Sequence, residues 1–253
     1  MEEPSNRSTV RSIERVLDIL EALAEGESTL AGIAGHAQLS GSTTHRLLAT
    51  LVERGYCDRA GPGRYRLGRR VHDLASRAEA PLARLRLLAR HHLIELRDEF
   101  DETANLVLLD GLEATYIDQV ASTQAMRMFA EVGRRVPAYA SAAGKALLAY
   151  GPSDVLVAQG LREPFTALTS STRTTLSQLA ADLASARERG YAIDDEEIEE
   201  GVICLAAPVL AGPLAVAALS VSGPGFRMRR LDLQTIGTAV ARHAGTLSAQ
   251  LSR

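Results

Sequence analysis

Residues 29–67, TLAGIAGHAQLSGSTTHRLLATLVERGYCDRAGPGRYRL, constrain the fold of this chain more than any other segment. After Thr29, a residue suited to cap a helix, Leu30, Ile33, Ala34 and Ala37 recur at three- and four-residue intervals, which predicts a short helix with one buried face. Gln38 and Leu39 interrupt that spacing, with Leu39 as the apolar plug of a turn. Ser40 offers a second cap, and Leu47, Leu48, Leu51 and Val52 give the next helix its inward side. That assignment leaves Gly41, Ser42, Thr43, Thr44, His45 and Arg46 on the outer side of the helix start. Residues 55–58 and 64–67 then read as short strands around the turn-rich tip Ala60-Gly61-Pro62-Gly63. Two helices, a turn and a hairpin together predict a winged helix-turn-helix.

The charge of this segment points to a partner. From residue 40 to residue 72 there are seven arginines against Glu53 and Asp58, a local excess of +5 in a chain whose net charge is -3. Positive charge gathered on one hairpin is how a weakly acidic protein can still present a face to phosphates. At the start of a recognition helix, small hydroxyl side chains permit close approach to base edges, and the helix dipole favours anions. The candidate DNA contacts are therefore Ser40, Ser42, Thr43, Thr44, His45 and Arg46 on the helix, with Arg59, Arg64 and Arg66 on the wing. The plainer alternative is a small helical domain with a solvated charged face, which the cap, the small polar helix start and the basic wing, taken in order, disfavour.

Composition sets the outer limits. At 253 residues and 46% hydrophobic, the chain can bury more core than the first 75 residues need, so two domains fit better than one. No run approaches the roughly 20 apolar residues that cross a bilayer, and the N-terminus lacks a signal-peptide core; a cytoplasmic protein without a membrane partner is expected. Cys57 and Cys204 lie far apart, so no disulfide, metal-ligand spacing or cofactor motif is expected. The pair His91-His92 reads as a surface feature. Lys145, the chain's single lysine, reads as a helix-surface residue.

Along the rest of the chain, residues 8–24 are strongly amphipathic and form the base of the first domain. Residues 71–78 and 81–100 read as two connecting helices, which in DNA-binding proteins often also bring subunits together. From residue 101 the pattern changes to strands, at 103–109, 114–120, 126–131, 191–194, 202–210 and 214–221, broken by Asp110-Gly111, Gly133 and Gly212-Pro213. Helices are expected at 142–150, 153–159, 176–189 and 231–251, the third opened by Thr175 and Gln178. Residues 161–175 form a long loop. The expected organisation is a winged helix-turn-helix over 1–75, linker helices over 76–100 and an α+β domain with a largely antiparallel sheet over 101–253.

Several segments carry a family resemblance: RSIERVLDILEAL, LSGSTTHRLLATLVERGY, YRLG, VPAYASAAGKALLAY, RERGYAIDDEEIEEGVICLAAPV and ALSVSGP. In this order, and across almost the whole chain, they resemble the IclR family of bacterial transcription regulators. The resemblance implies a GAF-like C-terminal effector-binding domain, dimers or tetramers, a palindromic double-stranded DNA operator, and repression or activation of catabolic genes, with repression favoured. Carried over by motif, it places an effector pocket at Met128, Val136, Tyr139, Ala142, Ala143, Asp194, Val202, Cys204, Ser220 and Ser222. Two positions depart from the pattern. Tyr139 stands where relatives often have histidine, and Gly41 where many have a longer or basic side chain.

Those pocket residues also make chemical sense. Ala142 and Ala143 open a helix whose first amides lack intrahelical acceptors and can hold a carboxylate. Ser220 and Ser222 alternate on a strand, so both hydroxyls share one face. With apolar walls from Met128, Val136 and Val202, the set suits a small organic acid, aromatic or a short keto or hydroxy acid. Each has a plainer reading: Cys204 as a buried small hydrophobe, the serines as exposed strand positions, and residues 194–197 as a solvated acidic run. An enzyme using Cys204 lacks an activating base and is disfavoured, since acidic neighbours raise a thiol pKa. A DNA-binding protein without a ligand leaves residues 101–253 unexplained.

Overall fold

The computed structural model describes residues 10–128, 131–151 and 161–252. The chain divides into two compact units between residues 82 and 83.

In the first unit, Arg11–Ala24 (α1), Leu30–His36 (α2) and Gly41–Glu53 (α3) surround one small core. Ile19 and Ala22 of α1, Ile33 of α2 and Leu48 of α3 are fully buried in it, together with Cys57. Both expected caps form: the Thr29 hydroxyl accepts from the Gly32 amide at 3.1 Å, and the Ser40 hydroxyl from the Thr43 amide at 3.3 Å. Gln38 takes a left-handed φ of 52°, which turns α2 into α3. The wing is Cys57–Gly61 (β1) paired antiparallel with Arg64–Leu67 (β2). Its first strand starts later than the expected residue 55, because Gly55 turns the chain at φ +76° and the backbone of Gly68 closes on it. A Cβ at Gly68 would lie 2.3 Å from the Gly55 carbonyl oxygen, so only glycine fits there.

A single helix, Arg69–Phe100 (α4), replaces the two helices expected over 71–78 and 81–100. Pro81 lies inside it. Proline removes one backbone donor and crowds the preceding turn, but it does not oblige a helix to end when the flanking turns hold.

The second unit is built on one six-stranded antiparallel sheet of order β5-β4-β3-β8-β7-β6. Its strands are Thr103–Asp110 (β3), Glu113–Val120 (β4), Arg135–Pro137 (β5), Ala192–Asp195 (β6), Val202–Ala211 (β7) and Leu214–Pro224 (β8). Of the strand expected at 126–131, the described residues 126–128 and 131 form none, and residues 129–130 lie outside the described residues; β5 pairs with β4. Ala142–Ala149 (α5) and Leu176–Arg189 (α6) cover one face. Gly225–Arg230 (α7) and Leu233–Leu251 (α8) follow the last strand, where one helix over 231–251 was expected; α8 packs along β7. Asp232 separates the two at φ 66°, and its carboxylate caps the Thr235 amide. The expected helix at 153–159 lies outside the described residues.

Candidate functional site

On α3, the structure leaves Ser40, Ser42, His45 and Arg46 exposed and Thr43 half-buried. The Ser40 hydroxyl hydrogen-bonds to that of Ser42 at 3.1 Å and donates to that of Thr43 at 2.9 Å, so the helix start is a preformed polar knob. Thr44, expected among the DNA contacts, faces the core instead. It is completely buried, and its hydroxyl donates to the Ser40 carbonyl at 3.1 Å. The reason is helical phase: Thr44 lies four residues before Leu48, on the inward side with Leu51. On the wing, Arg59, Arg64 and Arg66 are all exposed. Arg64 donates to the Ser28 hydroxyl at 3.2 Å and Arg66 faces Asp58 at 3.7 Å. The amide of Tyr65 bonds the Ser28 carbonyl and that of Leu30 the Gly63 carbonyl, so the wing is tied to the start of α2.

In the second unit, antiparallel register gathers most of the expected pocket on the helix-covered face. Thr103, Ser222, Cys204 and Asp194 form one row across β3, β8, β7 and β6, and Asn105, Ser220, Ala206 and Ala192 the next. Asn105 Nδ2 donates to Ser220 at 3.2 Å and to Ser222 at 3.1 Å, and Gln119 Nε2 donates to Asn105 Oδ1 at 3.1 Å. Both serines are buried, against the reading of them as exposed strand positions. Val136, Tyr139, Ala142, Ala143 and Cys204 belong to one buried cluster with Tyr116 and Ala206. Gly144 lets the start of α5 sit tight: a Cβ there would lie 2.3 Å from Ala138 backbone atoms. Ser141 caps the Gly144 amide at 3.0 Å, and the first-turn amides of Ala142 and Ala143 have no intrahelical carbonyl within reach.

The remaining expected residues make other contacts as well. The Tyr139 hydroxyl donates to the Thr166 carbonyl at 2.8 Å, with its ring 5.0 Å from Phe165. Met128 and Val202 line a separate cleft with Met126, Glu199 and Pro224, and the Met128 carbonyl accepts from Thr103 at 3.0 Å.

The acidic run and the lysine differ most from expectation. Asp194 and Glu197 are buried rather than solvated, while Asp195 and Glu196 pair with Arg229. Lys145 is only 1% exposed, not on the surface; its ammonium donates to Glu197 at 2.5 Å and to Asp182 at 3.1 Å. An ammonium on an all-buried helix is tolerable only when carboxylates meet it. Burial raises Asp194 to about pH 7, although its carboxylate accepts from the Glu197 amide at 2.8 Å. Burial also raises Glu197, and raises the Cys204 thiol with the help of nearby Asp194, so Cys204 is protonated and unreactive. Asn105, Gln119, Thr103 and Lys145 were missed in the sequence. The signal for the first was present: Thr103 and Asn105 are same-parity polar residues in a strand otherwise apolar on that face.

A winged helix-turn-helix joined to an α+β unit whose covered sheet face carries a small polar cluster defines a two-unit DNA-binding transcriptional regulator. The profile described as "Bacterial transcriptional regulator IclR C-terminal" matches residues 81–249, and that of the "IclR helix-turn-helix domain" matches residues 12–60. The chain belongs to the IclR family, a family of transcriptional regulators and not of enzymes. It is 37% identical over 243 residues to the transcriptional repressor IclR of Escherichia coli, covering 93% of this chain and 88% of that protein. It is 36% identical over 252 residues to the transcriptional regulator BhcR of Paracoccus denitrificans, covering 94% and 86%. Among solved structures, Thermotoga maritima IclR superposes with a TM-score of 0.63 at 28% identity, covering 96% and 99%. An IclR homolog from Microbacterium hydrocarbonoxydans, complexed with 4-hydroxybenzoate, gives 0.62 at 28% identity, covering 94% and 98%. Among the described residues, no helix is long and apolar enough to cross a membrane.

Proposed function

We propose that this chain is a cytoplasmic repressor that binds a palindromic operator as a dimer or tetramer and is controlled by a small organic acid. The observation that carries the reading is the Asn105–Ser220–Ser222 cluster, a set of buried polar groups that, with Asp194 and Thr103 in the same rows, stands beside the apolar cluster of the helix-covered sheet face. The amides of Ala142 and Ala143 receive the carboxylate, Ser220 and Ser222 its remaining polar atoms, and Val136 and Tyr116 its apolar body. The IclR homolog solved with 4-hydroxybenzoate supports an acid of this class. Asp194, held to about pH 7, carries less negative charge there than an ordinary aspartate and repels an anion less. On the DNA side, Ser40, Ser42, Thr43, His45 and Arg46 enter the major groove and Arg59, Arg64 and Arg66 follow phosphates. Effector binding changes subunit packing through α4 and so the spacing of two recognition helices.

The test pairs fluorescence anisotropy on duplexes from the DNA flanking the gene with calorimetric titration of 4-hydroxybenzoate and short keto and hydroxy acids. One acid binds and alters operator affinity. Arg46→Ala weakens operator binding about tenfold and flattens its salt dependence by about one charge, leaving acid binding intact. Ser222→Ala removes the acid response and leaves operator affinity unchanged. Failure of the whole panel to bind, or loss of both activities in one variant, would overturn the proposal.

A further inference from the structure

His91-His92 reads as a surface feature, and the sequence shows no metal-ligand spacing; in the fold His91 is exposed as expected, but His92 is not. His92 is buried, with 4% exposure, and its ring meets that of His243 edge-on with centroids 5.3 Å apart. His92 and Glu95, three residues apart, share one face of α4, and His243 reaches them from α8. The Nδ1 atoms of His92 and His243 lie 3.1 Å apart, and Glu95 Oε2 lies 3.6 Å from His243 Nδ1. All three donor atoms fall within 4.8 Å of one another. They face a cleft of about 350 Å³ that Glu99, Arg242 and Thr246 complete.

The geometry points to a divalent transition-metal site, suited to zinc or nickel, with His92 Nδ1, His243 Nδ1 and Glu95 as its protein ligands. Two imidazoles and one carboxylate are a donor set that zinc accepts, with the remaining position left to water. Ligands at about 2.0–2.1 Å around a tetrahedral ion stand a little over 3 Å from one another; the 3.1 and 3.6 Å spacings to His243 Nδ1 bracket this, and the His92–Glu95 pair, within 4.8 Å, closes to it by rotation of the half-exposed Glu95 side chain. The outer contacts also fit. His92 Nε2 faces Gln250 Oε1 at 3.4 Å, and a carbonyl oxygen there fixes the proton on Nε2 and leaves the Nδ1 lone pair aimed at His243. Glu95 Oε1 faces His91 Nε2 at 3.1 Å, which orients the carboxylate so that its other oxygen turns toward His243. Arg242, which lines the same cleft, is paired with Glu99 at 3.2 Å. A bound ion would fasten α4 to α8 by bonds to both. This site lies apart from the Asn105–Ser220–Ser222 cluster and does not depend on the effector reading.

Titration of the full-length, metal-free protein with Zn²⁺ and Ni²⁺ by calorimetry tests the assignment, with thermal unfolding alongside. The expected result is one ion per chain and a Tm that rises with zinc, since a ligand of the native state alone stabilises it. Glu95→Gln, at a half-exposed side chain, and His243→Asn each weaken binding by more than the roughly 10- to 100-fold that follows loss of an outer-shell partner. Anomalous diffraction from zinc-soaked crystals of the unmutated protein locates the ion without relying on the variants' folding. A peak between the two Nδ1 atoms supports the site. Absence of binding, binding unchanged in both variants, or a peak elsewhere would overturn it, leaving His92 and His243 as a hydrogen-bonded pair.

Discussion

The start of α3 and the covered face of the sheet are both clusters of small polar residues, yet they are built in opposite ways. On α3 the partners are local: Ser40 serves Thr43 and receives Thr44, within four residues. On the sheet they are remote: Asn105 holds Ser220 and Ser222 across 115 and 117 residues, and Lys145 meets Glu197 across 52. The first cluster is exposed and costs little to change, whereas the second is buried and cannot lose a partner cheaply. A local cluster can form on one helix, whereas a remote one forms only when the sheet brings distant segments into register.

Four substitutions or conditions sharpen that contrast. The largest effect is expected from Lys145→Ala, which strands the buried Glu197 carboxylate, while the part-exposed Asp182 keeps Arg173 at 3.3 Å; urea denaturation should show a loss of about 3–5 kcal/mol. A loss below about 1 kcal/mol would mean that water reaches the Glu197 carboxylate. Next, Asn105→Ala leaves two buried hydroxyls and the Gln119 amide without their shared partner, at a cost of about 1–3 kcal/mol by the same measurement. Third is pH. Asp194 is raised in the fold to about 7 from 3.8, so above the unfolded value the folded state holds a proton that the unfolded state has released. Stability therefore falls as pH rises, by on the order of 1–2 kcal/mol between about pH 6 and pH 8, and Asp194→Asn should flatten that slope. The smallest is Ser40→Ala, the loss of one exposed cap, at about 1 kcal/mol or less. A Ser40→Ala loss larger than that of Asn105→Ala would reverse the comparison.

Local chemistry explains what the sequence made legible. The α2–turn–α3 unit, the wing, α6 and the β7–β8 hairpin follow from caps, turn residues and hydrophobic spacing, and each formed near its expected place. Thr44 was misplaced because a small polar residue at a helix start looks alike whether it faces in or out. Residues 126–128 have strand-like composition, but the edge of β4 is taken by residues 135–137, and a strand without a partner does not form. Pro81 broke a helix on paper and not in the fold.

By itself, then, the amino-acid order determined the helix-turn-helix, its basic wing, the antiparallel character of the second unit and the family the motifs resemble. Tertiary structure alone decided that Lys145 is buried between carboxylates, that Asn105 organises Ser220 and Ser222, and that His92 meets His243. The division is physical. Caps, turns and amphipathic faces depend on neighbours a few residues away, whereas burial of a charge or the pairing of two histidines depends on which distant segments the sheet and helices bring into contact.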